Sequence, residues 1–180
     1  MSNLLSRIFD ACIYSSQFNE REDLLAILNN PNEIVWEERI GAYMEGIKTS
    51  LDINSFAVLN RHLQASNLTN LMEFAKEKNI DYKWLHENDF IKIGKDAEYL
   101  QNFTNEFTKD TVSVIYVLKN TNLSGAINFK DKETVIHPEE GSCIIISSSP
   151  EYKYVVTNSE DNDFTLAISY NEKVWPQSRI

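Results

Sequence analysis

The sequence predicts an α+β fold in which N-terminal helices pack on a C-terminal antiparallel β structure. Up to about Lys78, apolar residues recur at intervals of three and four, which is the spacing of one helix face. After about Asp89 the period becomes two, and short strands alternate with short turns, as in an antiparallel sandwich or barrel. The length of 180 residues and the hydrophobic fraction of 42% favour a single domain with a substantial core.

The helical segments are read from apolar spacing and from their end signals. We expect helices over residues 4–12, 19–28, from about 32 to 47 and from about 67 to 78, with a shorter one over 54–63. Asn19 and Glu22 have the spacing of a capping box, and Asn29-Asn30-Pro31 ends the second helix. Asn79 is a typical helix terminator after Lys78.

The strands are expected where side chains alternate between two faces. The alternation is clearest over residues 111–118 and 164–170, and shorter strands are expected at 126–129, 134–136, 142–146 and 152–157. No internal repeat, low-complexity tract or flexible linker separates them from the helices. We therefore predict one domain with a mainly helical part over 1–89, a β core over 90–174 and a tail over 175–180.

Composition excludes several classes of function. A net charge of −10 argues against a nucleic-acid-binding surface, where Lys and Arg neutralise phosphates. No apolar run approaches the length of a membrane span, and the first residues lack a basic segment leading into an apolar one. Cys12 and Cys143 lie far apart in the sequence, so no disulfide framework or zinc motif is expected. These features predict a cytoplasmic or virion protein that is not secreted.

Three consecutive segments carry a resemblance to a known family. They are TVSVIYVLKN (111–120), SGAINF (124–129) and VIHPEEGSCIII (135–146). Their order and spacing resemble the prolyl-hydroxylase-type 2-oxoglutarate/Fe(II) oxygenases, which have a "YLN" strand end, a "GGxLxF" strand and an "xPxxGxxxxF" segment. The resemblance covers about seventy residues, from roughly Glu98 to Tyr170. It implies that the β core is an antiparallel double-stranded β-helix, or jelly roll.

The same resemblance implies that the chemistry of the family is missing. The H-x-D pair of active members, which holds iron with a distal histidine, falls on Phe103-Thr104-Asn105. The distal histidine falls near Tyr152, and the arginine that binds 2-oxoglutarate falls at about Asp163. Phe103 offers no ligand atom, Asn105 lacks the charge, and a carboxylate at Asp163 repels the carboxylate of the co-substrate. The resemblance thus implies neither metal nor cofactor.

Other histidines are the remaining candidates for a metal site. His86 and Asp89 form the one local pair that could hold a metal, and His137 lies beside Glu139 and Glu140. His62 lies on a helical segment. An isolated histidine is more often a surface residue or a hydrogen-bonded core residue than a ligand, and we interpret these histidines in that way.

The leading hypothesis for function is a non-catalytic jelly-roll scaffold that serves as a structural or protein-interaction subunit of an oligomer or larger assembly. A phage particle is one candidate, because the chain is rich in Asn, has more Lys than Arg, and resembles a family common in phage genomes. One alternative is an active oxygenase with displaced ligands, using Fe(II) and 2-oxoglutarate. Another is a cupin-like module that binds a small ligand at an aromatic barrel mouth. The residues expected there are Phe103, Tyr116, Tyr152 and Tyr154, and we expect them to fill the old pocket.

Overall fold

The structure is a computed structural model that describes residues 12–14, 20–31, 36–39, 47–50, 53–101 and 110–174. At 12–14, 37–39, 47–50, 53–57, 77–78 and 86–87 it describes the backbone alone. The two helices are α1 (Arg21–Leu28) and α2 (Ile53–Lys78). The strands are β1 (Cys12–Tyr14), β2 (Trp36–Arg39), β3 (Ile47–Ser50), β4 (Asp81–Ile93), β5 (Glu98–Gln101), β6 (Thr111–Lys119), β7 (Gly125–Phe129), β8 (Thr134–Ile136), β9 (Cys143–Ser147), β10 (Tyr154–Asn158) and β11 (Phe164–Val174).

The strands form two antiparallel sheets. The larger has seven strands in the order β1-β9-β6-β11-β4-β3-β2, and the smaller has four in the order β5-β10-β7-β8. Most strands that are neighbours in a sheet are not consecutive in the chain, as when β10 pairs with both β5 and β7. From β4 to β11 the chain crosses repeatedly between the two sheets, which is the connectivity of a jelly roll. The predicted antiparallel jelly roll is therefore confirmed.

The space between the sheets is filled by an apolar cluster, here called the barrel core. Alternation places Ile115 and Val117 of β6 in it, while Val114 and Tyr116 face the other side of the larger sheet. The members of the barrel core are Ile91, Ile93, Ala97, Ile115, Val117, Ile127, Phe129, Ile136, Ile144, Ile146, Tyr154, Val156, Phe164, Leu166, Ile168 and Tyr170.

A second apolar cluster lies on the outer face of the seven-stranded sheet. Leu24 and Leu28 of α1 and Leu59 and Leu63 of α2 share this cluster with sheet residues such as Tyr116, and all five side chains are at most 1% exposed. Because both faces of the central strand β6 are covered, eight of its nine residues are buried. A nearly continuous apolar run in β6 is the sequence counterpart of this burial.

Within that cluster, hydrogen bonds between polar side chains join α2 to the sheet. The Tyr116 hydroxyl donates a hydrogen bond to Oδ1 of Asn67, and the amide of Asn67 donates to Ser169 Oγ at 3.0 Å. Asn171 donates to the same hydroxyl at 3.3 Å. These groups are buried, so each partner stabilises a polar atom that water does not reach.

Helix α2 differs from the predicted helices in length and in its buried face. The two helices predicted over 54–63 and 67–78 are one helix, because no Gly or Pro interrupts residues 53–78. It ends as predicted at Asn79, which has a positive φ of 55°, and Ile80 N–H donates to Ala75 O at 2.9 Å. Leu71 is buried as expected, but Leu68 and Met72 are exposed.

The prediction is wrong at three places before residue 93. Cys12, expected in a helix, lies in strand β1; the other apolar residues of that segment fall outside the described residues. The helix expected from about residue 32 is wrong, since β2 and β3 form there and pair with each other and with β4, so sheet pairing prevails over apolar spacing. Ile40 and Met44 are not among the described residues. The β core also begins earlier than residue 90, with β4 at Asp81.

Candidate functional site

One end of the barrel carries a cluster of polar side chains, here called the mouth cluster, in which hydrogen bonds join all members except Tyr154: Asp89, Tyr99, Gln101, Tyr154 and Tyr170. The Tyr99 hydroxyl donates to Gln101 Oε1 at 2.7 Å, and Gln101 Nε2 donates to the Tyr170 oxygen at 2.5 Å. The Tyr170 hydroxyl in turn donates to Asp89 Oδ2 at 2.7 Å. The three bonds form one chain that runs from β5 through β11 to β4.

Strand register brings these residues together. Gln101 ends β5 and lies directly opposite Tyr154, the first residue of β10. Tyr99 and Gln101 are two residues apart and share one face of β5. Asp89 lies opposite Ile168 in the pairing of β4 with β11, so Tyr170 is its diagonal neighbour. The cluster therefore stands at the end of the barrel where β5 finishes and β10 begins.

Burial raises the pKa of two tyrosines of this cluster, Tyr154 and Tyr170. Burial, with the nearby Tyr99 and Asp89, raises the pKa of the Tyr154 phenol well above its usual value. For Tyr170 the same cause, with Tyr154 and Asp89, raises the pKa strongly. Both phenols thus remain protonated at neutral pH, and Tyr170 serves as a hydrogen-bond donor to the carboxylate. A neutral phenol is a poor metal ligand, because ligation takes the deprotonated form.

Below the mouth cluster the barrel is filled with apolar side chains. Ile93, Ile115, Val117 and Phe164 are each 0% exposed, and Phe129 packs edge-on against Tyr154 with ring centroids 5.7 Å apart. No described side chain of the barrel core or the mouth cluster carries a positive charge. The described side chains of this interior therefore offer an anion no cationic partner.

Two of the four positions singled out for lost chemistry lie among the described residues. Tyr152 is half-buried and packs against the barrel core, next to the mouth cluster, and the Lys132 ammonium lies 5.2 Å from its ring centroid. Asp163 is half-buried in the turn just before β11. Phe103 and Asn105 fall outside the described residues, so their replacement of family ligands rests on the sequence alone.

The candidate metal ligands are not all brought together. Asp89 lies in the mouth cluster, and His86 lies three residues earlier on β4 with its side chain outside the description. His137 is exposed and its Nδ1 contacts Leu123 O at 3.0 Å. Since β7 begins just after Leu123 and ends toward Tyr154, His137 is at the opposite end of the barrel. It joins no described metal-ligand group.

The aromatic residues expected at the mouth divide between the two faces of the sheet. Tyr154 is in the mouth cluster as predicted, but Tyr116 faces α2 and bonds Asn67, because the even-numbered residues of β6 point away from the barrel. Tyr99, Gln101 and Tyr170 were missed. The shared face of Phe164, Leu166, Ile168 and Tyr170 was a signal for Tyr170, whereas Gln101 had none.

Comparisons with solved structures identify the fold. An oxidoreductase of the 2OG-Fe(II) oxygenase family from Burkholderia pseudomallei matches with a TM-score of 0.64 and 12% identity, over 94% of this chain and 87% of that one. HygX from Streptomyces hygroscopicus, with nickel and 2-oxoglutarate bound, matches with a TM-score of 0.65 and 8% identity, over 95% of this chain and 85% of that one. A prolyl hydroxylase from Trichoplax adhaerens, in complex with a hypoxia-inducible-factor peptide, matches with a TM-score of 0.64 and 13% identity, over 96% of this chain and 88% of that one. The resemblance to this superfamily, predicted from three segments, is confirmed for the fold of nearly the whole chain.

Sequence comparisons add no family. No protein-family model matches the chain, and no curated protein is significantly similar to it. No described helix is long and apolar enough to cross a membrane.

The described residues do not fit iron and 2-oxoglutarate held in the manner of the family. Tyr152 and Asp163, which the resemblance aligns with the distal histidine and the arginine, offer neither an imidazole nor a guanidinium, and no described side chain of the barrel core or mouth cluster is a cation for a dicarboxylate. Asp89 is the one charged group in the mouth cluster, and it is already bonded to Tyr170.

Proposed function

We propose that this protein is a non-catalytic member of the oxygenase-fold proteins, a packed scaffold that acts by binding another protein chain. The observation that carries the proposal is the hydrogen-bond chain from Tyr99 through Gln101 and Tyr170 to Asp89. These side chains satisfy one another's hydrogen bonds at the end of the barrel where β5 finishes and β10 begins. An amide, neutral phenols and one bonded carboxylate stabilise a closed end and supply no redox chemistry.

The outer face of α2 supports binding to another protein chain. Val58, Leu68 and Met72 are 41%, 64% and 52% exposed. Their spacing of ten and four residues places all three on the side of the helix that faces away from the sheet. A helix that is apolar on its buried face and again on its outer face has a surface that a partner can cover.

The experiment is a titration of the purified protein with 2-oxoglutarate in the presence of Mn(II), followed by thermal unfolding. A ligand that binds only the folded state, at a hundredfold above its dissociation constant, adds about 2.7 kcal/mol of stability. We expect no shift that depends on 2-oxoglutarate. A shift that depends on both additives, and that disappears in Asp89→Ala, would overturn the proposal.

A second candidate function is an active 2-oxoglutarate/Fe(II) oxygenase with displaced ligands. The comparisons favour it, since the matching structures are of oxygenases and HygX is recorded with nickel and 2-oxoglutarate. Asp89 also favours it, because it provides a carboxylate at the end of the barrel where β5 finishes. In this reading Asp89 and His86 are the ligands that replace the missing pair.

Turnover distinguishes the two candidates. The oxygenase predicts release of succinate from 2-oxoglutarate with Fe(II), and loss of that release in Asp89→Ala and His86→Ala. His137→Ala is the matched control, because His137 lies at the opposite end of the barrel. If no succinate forms and no 2-oxoglutarate binds, the scaffold remains and the oxygenase is excluded.

A further inference from the structure

Three potential metal ligands meet on the outer side of the molecule, far from the barrel interior. A ligand atom from each of Glu20, Asp23 and His62 lies within 4.8 Å of the other two. Glu20 Oε2 is in direct contact with His62 Nδ1. The two carboxylates come from the start of α1 and the imidazole from the middle of α2, 42 residues later.

Helix packing brings the three groups together. Glu20 precedes α1 and its carbonyl accepts the first helical hydrogen bond, from Leu24 N–H at 2.9 Å. Asp23 is three residues on and thus lies on the same side of the helix. Leu24 and Leu28 share the outer cluster with Leu59 and Leu63, the immediate neighbours of His62 on α2. The three polar groups lie at the edge of this apolar contact.

No Lys or Arg of the described part of the chain balances the charge of the two carboxylates. Arg21 lies between them in sequence, but its guanidinium donates to Leu118 O and to Glu140 Oε2, both at 2.8 Å. Among the described residues, no Lys or Arg is within ion-pair distance of Glu20 or Asp23. A divalent cation would balance the two negative charges while His62 contributes a neutral imidazole.

We propose that Glu20, Asp23 and His62 bind a divalent transition-metal ion of the Zn²⁺ class, which links α1 to α2. One imidazole and two carboxylates form a mixed nitrogen and oxygen set that suits such ions, whereas Mg²⁺ and Ca²⁺ prefer oxygen alone. Metal–ligand bonds of about 2.0–2.2 Å require the ligand atoms to be closer than 4.8 Å on average. Asp23 is exposed, so its side chain is free to rotate inward, and water completes the coordination.

The ion would have a structural role. Glu20 and His62 side chains are 25% and 28% exposed, so the site is open to solvent and to a metal from solution. It lies on the outer face of the seven-stranded sheet, and the mouth cluster lies between the two sheets. The site is independent of the proposed scaffold function and of any iron in the barrel.

The test is calorimetric titration of the full chain with Zn²⁺, with Mg²⁺ as the comparison ion. We expect one Zn²⁺ per chain, a raised melting temperature, and at least tenfold weaker binding in both His62→Gln and Asp23→Asn. Glutamine at position 62 can still hydrogen-bond Glu20, so this variant should fold, and its melting temperature without metal checks that it does. His137→Gln is the matched control and should bind Zn²⁺ as tightly as the unchanged protein does.

Two outcomes would overturn the metal site. One is no saturable Zn²⁺ binding at millimolar concentration, and the other is equal binding by His62→Gln and the unchanged protein. Asp89→Asn distinguishes an effect at the mouth cluster from an effect at the outer site, because it alters the first and leaves the second intact. Loss of Zn²⁺ binding in Asp89→Asn would place the ion in the barrel and contradict the proposal.

Discussion

The Tyr170 hydroxyl donates a 2.7 Å hydrogen bond to Asp89 Oδ2. Both residues belong to the larger sheet, and the bond lies in the space between the two sheets. Asp89→Ala leaves a buried phenol without this acceptor, which should lower the free energy of unfolding by about 1–3 kcal/mol. Tyr170→Phe should also destabilise, and the double variant should lose less than the sum of the two. Urea unfolding of the four proteins measures this coupling, which should be at least about 0.5 kcal/mol. Asp163→Ala, at a half-buried turn residue, is the control, and purely additive losses would contradict the prediction.

Alkaline pH should destabilise the protein through its buried tyrosines. Burial raises the pKa of Tyr116, Tyr154 and Tyr170 above the usual phenol value. Below about pH 10 both the folded and the unfolded chain keep these protons, so their contribution to stability is complete. Above about pH 10 the unfolded chain releases protons that the folded chain retains, and each tyrosine should lower stability by up to about 1.4 kcal/mol per pH unit.

Urea unfolding at successive pH values between about 8 and 11 measures this slope. Tyr116→Phe should make the slope shallower, whatever its effect on stability at pH 8. Equal slopes in the variant and the unchanged protein would show that the buried phenol does not titrate differently in the two states.

Gly125 lies against the ring of Phe164, where no side chain fits. A Cβ added at Gly125 would lie 2.3 Å from both Cγ and Cδ1 of that buried ring. Gly125→Ala should therefore lower the free energy of unfolding by about 3 kcal/mol or more. Phe164→Leu alone should destabilise by leaving space in the core. The double variant, Gly125→Ala with Phe164→Leu, should lose less stability than the sum of the losses in the two single variants. Additive losses would exclude the close contact between Gly125 and Phe164 as the cause.

Helix α2 offers a direct comparison between two leucines three residues apart. Leu71 is 6% exposed in the outer cluster and Leu68 is 64% exposed. Leu71→Ala should lower the free energy of unfolding by about 2–5 kcal/mol. Leu68→Ala should change it by no more than about 0.5 kcal/mol. Thermal or urea unfolding checks both, and a large loss in Leu68→Ala would mean that a partner chain covers this leucine.

The β core was predictable because its signals are local. The period of two in β6 and β11 reports that each strand packs its two faces differently, and short turns leave only antiparallel connections between neighbouring segments. The N-terminal half was harder, since β2 and β3 are short strands whose place in the sheet depends on the pairing of β3 with β4, more than thirty residues later in the sequence. A spacing of three or four apolar residues carries no information about such a partner.

The candidate site likewise has a part that residue types predict and a part that depends on contacts between distant residues. The interpretation that Phe103, Asn105, Tyr152 and Asp163 replace family ligands is a statement about residue types, so it comes from the sequence and stays a prediction. Gln101 gave no such signal, because its role depends on a hydrogen bond to Tyr170, 69 residues away. The meeting of Glu20 with His62 likewise required the packing of two helices.

The sequence by itself determined the α+β class and the antiparallel jelly roll from about β6 onward. Only the tertiary structure decided that Tyr116 faces α2 while Tyr154 and Tyr170 face the barrel, and that Asp89 is held inside it. It also decided which carboxylates and imidazole share a surface site. The physical reason is that periodicity fixes which side chains share a face of one element, whereas strand register and helix packing fix which faces meet.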